Sequence, residues 1–341
     1  MTAKYRRILI EQTGGPEVMK LVEDEIPTPA AGQARVKVLA ADVSFSDVNL
    51  RRGRYPGAPP VPFTPGYAMV GVVDALAPGI NSPATGQMVA ALTFYGSYSQ
   101  YICVPAESLV TVPRGVDSAE AVSLVLSYVA AYQMLHRLAG IRGGDRILVH
   151  GAAGAVGTAF LDLARVYGLT AYGTVSRPKQ DIVLRLGGTP IDYQTEDFVT
   201  RTLALTNGAG VDAAFDAIGA AHLAQSERAV RKGGAVVAYG YYQAANQGAN
   251  FIFDVIRQHA EMMSWSLPPR RKRVAFYDIR SLQEKQPAWF KEDLAALLAL
   301  LADGKLHPVI AARLPLESAV EAHRMVETAA VQGKVVLIPN P

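Results

Sequence analysis

The hydrophobic pattern of the chain changes character twice. Up to about residue 120, β-branched runs such as "ARVKVLAADVS" (34–44) and "AMVGVVDALA" (68–77) alternate with Pro- and Gly-rich stretches, a texture of strands and turns. The prolines of "RYPGAPPVPFTPG" (54–66) mark a loop, because proline breaks both ladder and helix. From Ser118, "SAEAVSLVLSYVAAYQMLHRLAG" spaces its apolar residues helically, with Ser118 as the expected N-cap. Strand and helix then alternate. "RILVHG" (146–151) leads to a helix over 158–167, "TAYGTVS" (170–176) to a helix over 178–186, and "TPIDY" (189–193) follows. Later come "VDAAFDAIG" (211–219), the helical "AAHLAQSERAV" (220–230) and "GAVVAYG" (234–240). Repeated βαβ units predict an α/β fold with a doubly wound parallel sheet. After Trp265 the rhythm stops. A basic loop, "PPRRKR" (268–273), precedes an amphipathic helix over 288–304 and a terminal strand, "GKVVLIP" (333–339).

Composition narrows the function classes. A length of 341 residues, half of them hydrophobic, suggests two domains with sizeable cores. A net charge of +3 without a long basic stripe argues against nucleic acid as a partner. The start "MTAKYRRILI" lacks the apolar core and cleavage site of a signal peptide. The apolar run from Ala121 to Leu135 is interrupted by Ser123, Ser127 and Gln133 and is too short for a bilayer. No stable membrane insertion is therefore expected. A single cysteine, Cys103, excludes an internal disulfide and a zinc site built on several thiolates. The expectation is a cytoplasmic protein.

The candidate chemistry lies in "HGAAGAVG", His150 to Gly157, between a strand and a helix. A helix N-terminus there offers unpaired amides and the positive end of its dipole to a pyrophosphate. In the dinucleotide fingerprint G-x-G-x-x-G, the matching positions are Ala152, Gly154 and Gly157, so alanine replaces the first glycine. Ala155 and Val156 complete the candidate phosphate turn. The next strand ends in Ser176, Arg177 and Lys179, without the carboxylate that would grip a ribose 2′-hydroxyl. A hydroxyl and two cations suit a 2′-phosphate, so the expected cofactor is NADPH.

On these motifs, together with the N-terminal "FSDVNLRRGRYP…PFTPGYAMVGVV", the chain resembles zinc-independent medium-chain dehydrogenases/reductases of the quinone oxidoreductase, zeta-crystallin-like branch. The resemblance covers nearly the whole chain. It implies a GroES-like catalytic or substrate domain over 1–124 and 269–341, a Rossmann dinucleotide-binding domain over 125–268, a cleft between them and a homodimer. It also implies that Tyr193 joins Ser176 and Lys179 at the 2′-phosphate, and that Ile218, Gly219, Gly240 and Tyr241 line the nicotinamide side. Zinc-dependent relatives carry a cysteine near "DVSFSD" and Gly-His-Glu at "GYA". Here Val43 and Ser44 stand in the first place, and Gly66, Tyr67 and Ala68 in the second. Without a Lewis acid to stabilise an alkoxide, reduction of a quinone or enone is favoured over alcohol oxidation. The family often has asparagine where Ser44 stands and threonine where Ala130 stands.

Tyr55, in "RGRYP", is a candidate proton donor to an enolate; a cleft-wall aromatic is the competing reading. Ser44 is the other candidate catalytic residue. Asp47 and Arg51, four apart, are expected to form an ion pair on one helical turn. Tyr67 and Tyr128 suit either a pocket wall or packing. His136 and His150 are expected in the core or at helix ends, and Cys103 as an inert buried thiol. Two functions stand at this point. One is NADPH-dependent reduction of a quinone or α,β-unsaturated carbonyl compound; the other is an NADPH-binding protein with a mainly structural or adaptor role.

Overall fold

The computed structural model describes residues 3–55, 57–240 and 251–340. The first strands are β1 (Lys4–Ile10), β2 (Met19–Glu25), β3 (Gln33–Val43), β4 (Ala68–Leu76), β5 (Met88–Leu92), β6 (Tyr101–Pro105) and β7 (Val110–Thr111). Next come β8 (Arg146–His150), β9 (Thr170–Val175), β10 (Thr189–Asp192), β11 (Val211–Asp216), β12 (Val230–Ala238) and β13 (Arg273–Phe276). The last are β14 (Ile310–Pro315) and β15 (Lys334–Ile338). The chain divides into two compact units, Met1–Val129 with Lys291–Pro341, and Ala130–Phe290.

The first unit is built on a seven-stranded sheet of order β14-β15-β3-β4-β5-β7, with β6 paired to β3. A separate antiparallel ribbon joins β1 and β2. Alternation explains β3: Ala34, Val36, Val38 and Ala40 are fully buried on one face. Its end feeds the short helix Phe45–Arg51, which Ser44 precedes and Tyr55 follows.

The second unit is a six-stranded, all-parallel sheet of order β10-β9-β8-β11-β12-β13. This is the 3-2-1-4-5-6 order of the dinucleotide-binding fold, whose strand order reverses between β8 and β11. Its strands read as continuous apolar runs because helices cover both faces; all six residues of β11 are buried. The core includes Leu148, Ile191, Phe198, Ala214 and Val236.

Three sequence expectations shift. The strand–helix alternation extends one unit past Trp265, because the short β13 pairs parallel to β12 straight after the basic loop. Four residues are too few to stand out as a pattern. The N-cap of the helix starting at Ser118 is Asp117, whose carboxylate accepts from the amides of Ala119 and Glu120. The helix continues through π-helical turns at Leu124–Tyr128 and Gln133–Leu138. Finally, the helix after β9 begins with a 3₁₀ turn, Arg177–Lys179, before the α-helical Gln180–Arg185.

Candidate active site

In the second unit every candidate cofactor residue that the structure describes lies at the carboxyl end of the parallel sheet. Gly151 takes a left-handed φ of +67° and turns the chain out of β8. Gly154 then caps the helix Ala155–Tyr167 with no side-chain bond. The first-turn amides of Ala155, Val156 and Gly157 have no carbonyl one turn back within the helix. Gly157 is required by close approach: a Cβ there would lie 2.4 Å from the Gly151 oxygen and 2.6 Å from the Ala152 Cα. Ala152, fully buried, faces Gly173 of β9, where a Cβ would meet the Ala152 methyl at 2.5 Å. The methyl group that the fingerprint forbids at its first position is thus accommodated by a glycine on the neighbouring strand.

At the end of β9, Ser176 opens the turn that carries Arg177 and Lys179. Arg177 is exposed and forms no ion pair among the described residues. Parallel pairing aligns Asp192 with Val175, so the next residue, Tyr193, stands abreast of Ser176; its side chain is 54 % exposed. A hydroxyl, a guanidinium, an ammonium and a phenol at two adjacent strand ends fit a phosphate monoester on the ribose of a dinucleotide. Ile218 and Gly219 follow β11, and Gly240 follows β12, close enough that a Cβ on Gly240 would lie 2.5 Å from the Ala217 oxygen. Tyr241 lies outside the described residues.

Beneath these loops runs a buried hydrogen-bond chain that the linear pattern does not reveal. Asp216 Oδ1 accepts from the amides of Ile218 (2.7 Å) and Gly219 (3.0 Å). Its Oδ2 accepts from His222 Nδ1 (2.7 Å) and Ser226 Oγ (2.6 Å). Burial alone would raise the Asp216 pKa. The His222 bond, the nearby imidazoles and Ser226 outweigh it and hold the carboxyl well below its usual range. The single Ser226 proton goes to this carboxylate, the shortest contact it makes. His150 Nε2–H therefore donates to Ser226 Oγ (3.0 Å), and Nδ1 accepts from the Thr174 hydroxyl (3.0 Å). Burial keeps His150 neutral, with its pKa lowered to about 3. The donor atoms of His150, Asp216 and His222 lie within 4.8 Å of one another. The donors that would hold a cation are already engaged with one another, with Ser226 and with Thr174. The chain ties β9, β8 and β11 together and fixes the two loop amides that follow Asp216.

In the first unit, Ser44 caps Phe45–Arg51 in a reciprocal box. Its hydroxyl donates to Asp47 Oδ2 (2.6 Å) and accepts from the Asp47 amide (3.2 Å), while the Ser44 amide donates to Oδ2 (2.9 Å). The Ser44 hydroxyl is engaged in this cap. Asp47 Oδ1 accepts from the Gly66 amide (3.0 Å). Burial, reinforced by Asp42, raises the Asp47 pKa to about 7. The expected Asp47–Arg51 pair does not form, because the carboxylate is committed to the cap and to Gly66. Arg51, fully buried, bonds Glu327 instead. The Ser-x-x-Asp spacing in "SFSD" was the available signal for the cap. Tyr55 and Tyr67 meet phenol to phenol at 2.6 Å. Tyr67 is fully buried and packs edge-on against Phe94, with ring centroids 5.2 Å apart. Cys103 is half-buried in β6, and burial pushes its thiol pKa up.

The sequence profile described as "Alcohol dehydrogenase GroES-like domain" matches residues 30–114, and "Zinc-binding dehydrogenase" matches 186–337. The chain is 30 % identical over 343 residues to the rat synaptic vesicle membrane protein VAT-1 homolog, covering 98 % of this chain and 84 % of that one. It is 30 % identical over 341 residues to a 2-haloacrylate reductase from Burkholderia sp, covering 97 % and 98 %. The solved structure of Escherichia coli quinone oxidoreductase complexed with NADPH superposes with a TM-score of 0.86 at 27 % identity, covering 99 % of this chain and all of that one. With its Rossmann sheet and GroES-like unit, the fold is that of an oxidoreductase class. The chain belongs to the medium-chain dehydrogenase/reductase family, in its zinc-independent quinone oxidoreductase branch.

The positions that hold zinc in the metal-dependent relatives do not fit the metal here. Val43, Ser44, Tyr67 and Ala68 offer neither thiolate nor imidazole. The Ser44 hydroxyl serves Asp47, and the Tyr67 phenol meets Tyr55. Among the described residues no helix is long and apolar enough to cross a membrane.

Proposed function

We propose that the protein uses NADPH to reduce a quinone or an α,β-unsaturated carbonyl compound without a metal. The observation that carries this is the set of groups at the ends of β8, β9 and β10. They comprise a helix N-terminus without a side-chain cap behind a glycine turn, then Ser176, Arg177 and Lys179, with Tyr193 abreast. Ala152, Gly154, Ala155, Val156 and Gly157 would hold the pyrophosphate, and the Ser176 group the 2′-phosphate. Ile218, Gly219 and Gly240 would face the nicotinamide side. Bound NADPH supplies a hydride. Tyr55 then gives its phenolic proton to the α-carbon of the enolate left by an enone. A relative named for reduction of 2-haloacrylate, an alkene conjugated to a carboxylate, supports this substrate class.

The same reading places the protein in the cytosol as a homodimer. Ile256, Ala260 and Met263 are exposed at i, i+4 and i+7 on the helix Phe251–Trp265, with Leu267 just beyond. This apolar stripe belongs to the same unit as the edge strand β13, and a second copy would cover it.

The test is NADPH consumption with a panel of quinones and enones, repeated on Tyr55→Phe. The substitution should slow enones by about ten- to a thousandfold and quinones much less, because quinones need no carbon protonation. A ratio of losses near one would make Tyr55 a wall residue. Tight NADPH binding with no turnover on any acceptor would move support to a non-catalytic role.

A further inference from the structure

We infer that Tyr67, which occupies the place of a zinc-ligating histidine in the metal-dependent relatives, is a positioning residue that holds the Tyr55 phenol and stabilises it as it loses its proton. The inference rests on the proton-donor reading of Tyr55. The two oxygens are 2.6 Å apart, at the short end for O–H···O bonds. Their rings meet edge to face, with centroids 5.8 Å apart.

The two phenols are held very differently. Tyr55 sits in an irregular Pro- and Gly-rich stretch, half-buried. Tyr67 immediately precedes β4 and is fully buried. Its carbonyl accepts from the amides of Thr93 (2.9 Å) and Phe94 (3.0 Å), and its ring packs on Phe94. The residue before it, Gly66, has φ +114°, and a Cβ there would lie 2.3 Å from Ser97 Oγ. The Gly66 amide is tied to Asp47 and its carbonyl to the Thr93 hydroxyl. A rigid phenol therefore restrains a phenol on a loop.

Chemistry fixes the direction of the bond. When the Tyr55 proton points at the substrate, only Tyr67 can be the donor within the pair. As the α-carbon–hydrogen bond forms, the Tyr55 O–H bond breaks and its electron pair stays on oxygen. The Tyr67 hydroxyl then donates to an anion, and the bond strengthens with the charge that develops. Water returns the proton to Tyr55. The balance is enone, hydride and one proton to the saturated carbonyl compound.

The test uses Tyr67→Phe, which keeps the ring and removes only the hydroxyl. kcat on an enone should fall about ten- to a hundredfold, the range for one hydrogen bond to a charged oxygen. KM for NADPH and kcat on a quinone should stay within about twofold. Adding Tyr67→Phe to Tyr55→Phe should cost nothing further, because Tyr67 acts only through Tyr55. Equal losses on enone and quinone, or losses that multiply in the double variant, would make Tyr67 a packing residue and overturn the inference. A wild-type rate in Tyr67→Phe beside an impaired Tyr55→Phe would overturn it while leaving Tyr55 as donor. An unselective Tyr55→Phe would overturn both.

Discussion

Gly173→Ala tests whether the departure of the fingerprint at Ala152 is balanced on the neighbouring strand. The new Cβ would lie 2.5 Å from the Ala152 Cβ and 3.3 Å from Val183 Cγ1. Carbon atoms pack at about 3.5–4.0 Å, so roughly an ångström must be found between β9 and the phosphate turn. The turn cannot simply slide, because the Ala152 amide donates to the Thr174 carbonyl on the same strand. Overpacking of this kind costs about 1–3 kcal/mol. If the strain is relieved by moving the turn, NADPH affinity should fall on the order of tenfold, about 1.4 kcal/mol. Ala152→Gly in the same chain removes one of the two clashing methyl groups and should restore most of both losses. Chain entropy should leave little net cost, because the pair exchanges one glycine for one alanine in each direction. Urea unfolding and a fluorescence titration with NADPH measure the two quantities. A Gly173→Ala protein of normal stability and affinity, or one that Ala152→Gly fails to rescue, would refute the reasoning.

Arg177→Ala with Lys179→Ala should weaken NADPH at least tenfold and leave NADH within about twofold, since only the former carries the 2′-phosphate; parallel titrations decide. Asp47 titrates near 7 in the fold and near 3.9 in an unfolded chain, so its contribution to stability is complete below about pH 4 and lost as pH rises through 7. Asp47→Asn removes that titration, and the wild-type advantage over the variant should grow as pH falls from 8 to 4, by on the order of 4 kcal/mol; urea midpoints across this range test the sign. Sedimentation equilibrium at micromolar concentration should give a dimer that Met263→Asp converts to monomer, and a wild-type monomer would remove the proposed interface.

The parallel sheet and its cofactor end were legible from periodicity because buried parallel strands need continuous apolar runs, and the turns between them need glycine at fixed places. "RILVHG", "TAYGTVS" and "VDAAFDAIG" carry that requirement in their own residues. So does Gly157, which no side chain can replace against the Gly151 oxygen. The cap of Phe45–Arg51 was equally local, although the spacing of Asp47 and Arg51 suggested an ion pair instead. Tertiary structure alone decided where the other partners lie. Arg51 finds Glu327 across 276 residues, His150 finds Ser226 across 76, and Gly173 makes room for Ala152. These contacts depend on which strands become neighbours and how closely helices approach them. That choice is made by burying the whole apolar surface at once, and no short stretch of sequence contains it.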